Sequence, residues 1–180
     1  MARPSTSSRR YAEAAFQIAQ RDGTVEAWLE QLDRAAAVVS DQTAVRQLEN
    51  PRIPFDARRE ALANALGPDA MPQLMNLAAL ILRRRRLELL GGIAREYRRL
   101  YNRQEGIVEA TATSAVELDE GELQALRERL ERMAGDRIIL HTRVDESLLG
   151  GIQVRIGDRL IDGSVRGRLE RLRNELAARA

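Results

Sequence analysis

The residues best able to do chemistry are few. His141 is the only histidine of the chain, and there are no cysteines. Transition-metal sites draw on several His, Cys or carboxylate ligands, and the sequence around His141 gathers no such set. The serines are accounted for by helix caps and turns, and a Ser-His-Asp triad depends on a convergence that no sequence displays. We therefore predict no catalytic residue and no metal ligand.

The glycines near the carboxyl end do not match a phosphate-binding pattern. Gly150, Gly151 and Gly157 are not followed by Gly-Lys-Ser/Thr, and no GxGxxG opens a helix after a strand. We therefore predict no nucleotide and no other cofactor. An enzyme built on the carboxyl-terminal part of the chain remains an alternative, but it requires a pocket of convergent ionisable groups that these residues do not supply.

A basic region offers the main rival function. Residues 83–103 contain eight arginines and two glutamates, a local charge of +6. Such a region could neutralise phosphates, so a small nucleic-acid-binding module is the alternative hypothesis. The region lacks interleaved aromatic residues for base stacking. A solvated helix face is the simpler interpretation, and we predict no nucleic-acid partner.

Composition favours two small helix-rich domains. The 180 residues are 44% apolar but only 3% aromatic, with Ala and Leu dominating. All basic residues are Arg, and the net charge is only +2. The longest apolar stretch, residues 74–82, is far shorter than the roughly 20 residues needed to span a bilayer. We expect any membrane association to occur only through a complex.

Residues 1–104 read as a bundle of about six helices. Residues 1–8 are a polar lead-in or a series of candidate N-caps, and helix one starts near Arg9. Ser40 or Asp41 begins a short third helix that Asn50-Pro51 ends. Gly91-Gly92 predicts a bend or a start in the long last helix. Trp28 is assigned to the bundle.

Residues 105–180 read as a small α/β domain in the order strand, helix, strand, strand, strand, helix. Ile152, Val154 and Ile156 alternate with polar residues, as in a half-buried strand. Gly157-Asp158 predicts a two-residue type II′ turn, which sets Ile161 opposite Val154 on the buried face. Stripes of leucines on both helices predict helices packed on a sheet.

The last helix is predicted to begin after Ser164, its N-cap, and to carry an apolar stripe. The stripe consists of Val165, Leu169, Leu172 and Leu176.

The run GGIQVRIGDRLIDGSVRGRL closely resembles the carboxyl-terminal signature of the delta subunits of F-type ATP synthases, called OSCP in mitochondria. Its residues serve tight turns and caps, so the signature is structural. The signature positions are Gly150, Gly151, Gly157, Asp158, Ile161, Asp162, Gly163, Ser164, Val165 and Gly167. YAEAAFQIA and NPRIP resemble weaker signatures of the same family, whereas Asn76-Leu77 departs from the family's usual aromatic residue after the Asn.

The resemblance implies a non-catalytic stator subunit that links the catalytic hexamer to the peripheral stalk and resists rotor torque. The amino-terminal bundle would bind the N-terminal helix of an α subunit, and the carboxyl-terminal domain would bind the b subunits. The location implied is the cytoplasmic face of a bacterial cell membrane. Small and large apolar residues side by side predict a groove for an amphipathic helix. The groove candidates are Tyr11, Ala14, Ala15, Ile18, Leu74, Ala78 and Ile81.

Overall fold

The structure, a computed structural model, describes residues 5–179 without the side chains of Glu175, Ala178 and Arg179. The chain forms two compact units that meet in sequence at Tyr101 and Asn102. The first unit is helical, and the second contains a four-stranded sheet. The predicted class, a bundle of about six helices followed by a small α/β domain with a hairpin and a terminal helix, is confirmed.

The helices and strands follow in chain order. They are α1 Thr6–Asp22, α2 Val25–Val38, α3 Gln42–Leu48, α4 Phe55–Leu66, α5 Pro72–Arg83, α6 Leu89–Gln104, β1 Ile107–Ser114, α7 Glu120–Ala134, β2 Arg137–Val144, a short 3-10 helix Glu146–Leu148, β3 Ile152–Ile156, β4 Arg159–Asp162 and α8 Val165–Arg179.

Side-chain caps fix several helix starts. The Ser5 hydroxyl accepts a hydrogen bond from the Ser8 backbone N at 3.1 Å, so α1 begins at Thr6 and not near Arg9. Ser8 is buried inside the first turn, and the predicted polar lead-in is therefore wrong for residues 6–8; residues 1–4 lie outside the described part. Asp41 caps α3 as predicted, through Thr43 N at 2.8 Å.

The core of the helical unit centres on three aromatic side chains. The ring of Tyr97 stacks on Trp28 at a centroid distance of 6.2 Å and meets Phe16 edge-on at 5.2 Å. The Tyr97 hydroxyl donates to the Val25 carbonyl at 3.0 Å, and burial raises the Tyr97 pKa. Leucine and alanine side chains from α1 to α6 complete this core, among them Leu32, Leu62, Leu74, Ala78 and Leu90.

The two adjacent glycines do not break α6, which runs through both. A Cβ at Gly92 would lie 3.0 Å from Ser8 Cβ, whereas one at Gly91 would have only Arg95 within 4 Å, at 3.7 Å. Gly92 therefore lets α1 and α6 approach closely. The predicted bend or start at this pair is therefore wrong, and Gly92 instead lies at a contact between two helices.

The sheet of the second unit has the strand order β2-β1-β3-β4. β1 pairs with β2 in parallel across the α7 connection, and it pairs with β3 antiparallel. Val154 lies opposite Ile161 in the β3–β4 hairpin, which is the predicted register. Gly157 has φ +56° while Asp158 has no positive φ, as a type II′ turn requires. Val154 is buried but Ile161 is 37% exposed, so its predicted burial is wrong.

The two helices of this unit behave differently. Leu130 of α7 is buried in a small core with Ala110, Ala112 and Ile138, which places α7 on the sheet. On α8, Val165, Leu169, Leu172 and Leu176 are 44–62% exposed. The prediction that both helices bury their stripes against the sheet is therefore correct for Leu126 and Leu130 of α7, wrong for Met133 of α7, which is 62% exposed, and wrong for α8.

Candidate partner-binding surfaces

The signature residues form a connection between the β3–β4 hairpin and α8. One Asp162 carboxylate oxygen accepts hydrogen bonds from the Ser164 backbone N at 2.9 Å and from the Ser164 hydroxyl at 2.7 Å. The same hydroxyl accepts from Gly167 N at 3.0 Å, which is the N-cap geometry predicted for Ser164. Ser164 is fully buried, so all its polar atoms are occupied within this connection.

Close backbone approach explains why glycines occupy this connection. A Cβ at Gly151, where φ is +79°, would lie 2.6 Å from the Gly163 carbonyl oxygen. A Cβ at Gly167 would lie 2.8 Å from Asp162 Cγ. The backbone hydrogen bond from Val165 N to Gly150 O, 3.0 Å long, closes the arrangement. The connection thus fixes the direction in which α8 leaves the sheet.

The hydrogen bonds from Ser164 also set the ionisation of Asp162. The side-chain bond, followed by the backbone bond, lowers the Asp162 pKa below its ordinary value of 3.8. Asp162 is therefore a carboxylate at neutral pH and acts as a hydrogen-bond acceptor. Its role is to fix the start of α8, since both donors, the backbone N and the hydroxyl, belong to Ser164 at that start.

An apolar stripe covers the exposed face of α8, which begins directly after this connection. Its members recur at positions i, i+4, i+7 and i+11 of the helix and consist of Val165, Leu169, Leu172 and Leu176. Arginines at 166, 168, 171 and 173 stand between them. A run of large exposed apolar side chains on one helix face is typical of a protein-binding surface. We call it the α8 stripe.

A second apolar surface lies on α1 and α5. Tyr11, Ala14 and Ile18 occupy one face of α1, where Ile18 is 37% exposed. On α5, Leu80 is 42% exposed. The Arg84 guanidinium, directly after α5, donates a hydrogen bond to the Tyr11 hydroxyl, which brings the carboxyl end of α5 next to Tyr11 of α1. We call this the α1–α5 face.

A cavity of about 330 Å³ lies at the arginine end of this face. Ser7 and Tyr11 line it from α1, Ile81 lines it from α5, and Arg84, Arg86 and Leu89 complete it. The face therefore combines exposed apolar side chains of two helices with arginines next to the carboxyl end of α5.

The predicted groove residues fall into two groups. Tyr11, Ala14 and Ile18 reach the surface on the α1–α5 face. Four others are buried, with exposures of 3% or less: Ala15, Leu74, Ala78 and Ile81. Ile81 nevertheless touches the cavity. The buried group supports the face from beneath, because its side chains pack in the core of the helical unit.

Sequence reasoning missed the α5 half of this surface. On α5, a second row at helical spacing consists of Leu77 and Leu80, and Arg84 continues it directly after the helix. This row lies on a neighbouring face to the one that carries the buried Leu74, Ala78 and Ile81. The sequence does contain a signal for it: α5 is apolar on more than one face, whereas a helix that packs only on the core needs one apolar face.

Among the described residues, no group of three or more His, Cys, Asp or Glu side chains could hold a metal ion. His141 Nε2 is 4.0 Å from a Glu109 carboxylate oxygen, and both side chains are about half exposed. In residues 5–179, no helix has the length and hydropathy that crossing a bilayer requires.

Several arginines of the basic region make contacts within the helical unit. Arg98 forms an ion pair with Asp33, and Arg99 pairs with Glu96 at 3.1 Å. The Arg83 guanidinium lies over the Phe55 ring at 5.1 Å. These arginines are therefore already in contact with groups of the helical unit, which leaves fewer of them for the phosphates of a nucleic acid.

A helical unit, a small mixed sheet and exposed apolar helix faces on both units define a protein of the adaptor class. Comparison with known proteins identifies the family. The chain belongs to the ATP synthase delta (OSCP) subunit family, whose family model matches residues 8–176.

Individual relatives agree with this assignment. ATP synthase subunit delta of Chromohalobacter salexigens is 37% identical over 179 residues, covering 99% of this chain and 100% of that protein. The subunit delta of Dehalococcoides mccartyi is 33% identical over 168 residues, covering 93% and 92% respectively. A chain in the cryo-EM structure of the Toxoplasma gondii mitochondrial ATP synthase hexamer shares the fold, with a TM-score of 0.69, 20% identity and coverage of 96% and 98%.

Family membership decides the general function. The protein is a non-catalytic stator component of the F-type ATP synthase. Its binding partners are therefore subunits of that complex. The prediction from the carboxyl-terminal signature is confirmed at this level, and the nucleic-acid alternative is not needed.

Proposed function

We propose that the α1–α5 face binds the N-terminal helix of the ATP synthase α subunit and that the α8 stripe binds the b subunits of the peripheral stalk. The protein then links the catalytic hexamer to the stalk at the cytoplasmic face of a bacterial membrane, to which it is attached only through the complex. In this proposal residues 1–104 bind the α subunit and residues 105–180 bind the b subunits of the stalk.

The exposure of the α8 stripe is the observation that carries the proposal. Four large aliphatic side chains on one helix are 44–62% exposed, although the sheet of the same unit could have covered them. Because these side chains are already about half buried, burying the rest of each one at an interface contributes about half of the roughly 1.5–3 kcal/mol of a fully exposed side chain. An amphipathic stalk helix laid along α8 would gain this energy, and helix-in-groove recognition uses this spacing of anchors.

The α1–α5 face supports the other half of the proposal. On α1 the small Ala14 lies between the larger Tyr11 and Ile18, and on α5 Leu77 and Leu80 supply further apolar side chains that are at least partly exposed. A stator must hold against torque, so we expect an interface of about 800 Å² per partner and a Kd near nanomolar, about −12 kcal/mol.

Calorimetry with the full chain and a synthetic peptide of the α-subunit N-terminus tests the first interface. We expect Ile18→Asp to weaken binding at least about tenfold, because it places a carboxylate in an apolar contact. Gln17→Asp is the matched control, since it adds the same charge to the same helix on another exposed face. Equal affinity of Ile18→Asp and the wild type would contradict the proposal for this face.

Co-purification with the b subunits tests the second interface. Leu172→Asp should abolish capture, while Asn174→Asp, on the opposite side of α8, should retain it. Retention of the b subunits by both variants would show that the stalk binds elsewhere.

A further inference from the structure

A cavity of the helical unit lies away from the α1–α5 face. Its volume is about 500 Å³, and it is lined by the end of α2, by α3, by the loop after α3 and by α4. Val38, Leu48, Ile53 and Ala61 contribute aliphatic walls. The volume falls within the range of small-molecule sites.

Arg58 of α4 is the only charged side chain that lines this cavity in the described part of the chain. Its Nε and Nη1 atoms are buried and make no hydrogen bond with any group in the described part of the chain. The guanidinium lies over the Phe55 ring at 5.9 Å, and Arg83 lies over the same ring at 5.1 Å. The ring stabilises positive charge but does not accept the in-plane N–H groups of Arg58.

Two arginines on one aromatic ring concentrate positive charge beside an apolar cavity. Among the described residues, no carboxylate forms an ion pair with Arg58 or Arg83. Buried donors of a charged group that lack acceptors are costly to a fold. A bound carboxylate would lower this cost, because its two oxygens can accept from Nη2 together with either Nε or Nη1 along one edge of the planar guanidinium.

We propose that this cavity binds an alkyl carboxylate of medium chain length, with its head on Arg58 and its chain along the aliphatic walls. Besides Arg58, Gln47 is the only polar side chain in the lining. A peptide would bring backbone N–H and C=O groups that such a lining leaves unsatisfied, whereas an alkyl chain brings none. The site is separate from both proposed subunit interfaces, so its test does not depend on them.

The test uses the full chain and a series of octanoate, decanoate and dodecanoate below their micellar concentrations. Titrations are followed by calorimetry and by the methyl NMR signals of the alanines at 44, 57, 61 and 65, which line the cavity. We expect each added pair of methylenes to tighten binding about tenfold until the cavity is filled. Decylamine, which has the same chain and a positive head, should not bind.

Variants separate the head from the chain. Arg58→Met should weaken decanoate binding at least tenfold, and Arg58→Lys should weaken it less, because it keeps the charge but loses the paired N–H groups. Arg59→Met removes an exposed neighbouring arginine and should leave binding unchanged. Ala61→Phe should block the chain. Absent alanine shifts, equal binding of decylamine, or undiminished decanoate affinity in both Arg58→Met and Ala61→Phe would overturn the proposal.

Discussion

Asp162 and Ser164 are joined by two hydrogen bonds that end on a single carboxylate oxygen, one from the Ser164 backbone N and one from its hydroxyl. Because the hydroxyl also accepts from Gly167 N, this pair couples the end of the β3–β4 hairpin to the first turn of α8. The α8 stripe begins directly after this pair. The order of the signature residues therefore follows from the geometry that these hydrogen bonds require at the start of α8.

The first prediction concerns the ionisation of Asp162. The hydrogen bonds from Ser164 lower its folded-state pKa, so they contribute stability above the unfolded pKa of about 3.9, and this contribution is lost as the pH falls through the folded pKa. Ser164→Ala removes the hydroxyl donor, and the Asp162 pKa should rise toward 3.8. The carboxyl carbon signal followed by NMR from pH 2 to 6 measures it.

The same variant has an effect at neutral pH. Loss of an N-cap hydroxyl costs about 1 kcal/mol, and urea unfolding of the full chain should show this decrease. An unchanged Asp162 titration in Ser164→Ala would mean that another group sets its pKa.

The second prediction contrasts two neighbouring glycines of α6. Gly91→Ala should stabilise the helical unit by about 0.5–1 kcal/mol, since the new methyl meets only the flexible end of Arg95. Gly92→Ala should destabilise it, because the new methyl meets buried Ser8. Adding Ser8→Ala to Gly92→Ala should restore part of the loss, since it removes the nearer Oγ atom but not Cβ. Thermal unfolding of all variants measures the difference, and the same sign for both glycines would contradict it.

The third prediction separates binding from folding in the second unit. Leu172→Ala on α8 should change the free energy of unfolding by less than about 0.5 kcal/mol, because the side chain is 52% exposed. Leu130→Ala on α7, where the side chain is 3% exposed, should cost about 2–5 kcal/mol. Urea unfolding of both variants provides the measurement. A large loss for Leu172→Ala would show that α8 is packed against the protein itself.

The fourth prediction concerns the single tryptophan. Trp28 is 2% exposed and stacks on Tyr97, so iodide should quench its fluorescence poorly in the native protein and strongly after unfolding. Efficient quenching in the native state would place the ring at the surface. Trp28 fluorescence is therefore a probe of core integrity, and calorimetry is the better measure of α-peptide binding.

Local patterns were sufficient for much of the fold. Alternation in β3, a glycine at the turn and a serine before α8 are short-range signals, and the resulting register and caps agree with the structure. The α1 start was misplaced because Ser5, Ser7 and Ser8 are all plausible caps, and only packing buries Ser8. The pattern at Gly91-Gly92 predicts a bend or a start, because the actual role of Gly92 depends on Ser8, 84 positions away in the chain.

The sequence by itself determined the class of the protein: the periodicity of its helices, the strand pattern and the carboxyl-terminal signature all depend on residues close together in the chain. Only the tertiary structure decided which apolar stripes are core and which are surface. Leu74 and Leu80 lie on the same helix and have the same chemistry, yet one is 1% and the other 42% exposed. Burial depends on which helices from distant parts of the chain pack against a given face, and the periodicity of one helix does not contain that information.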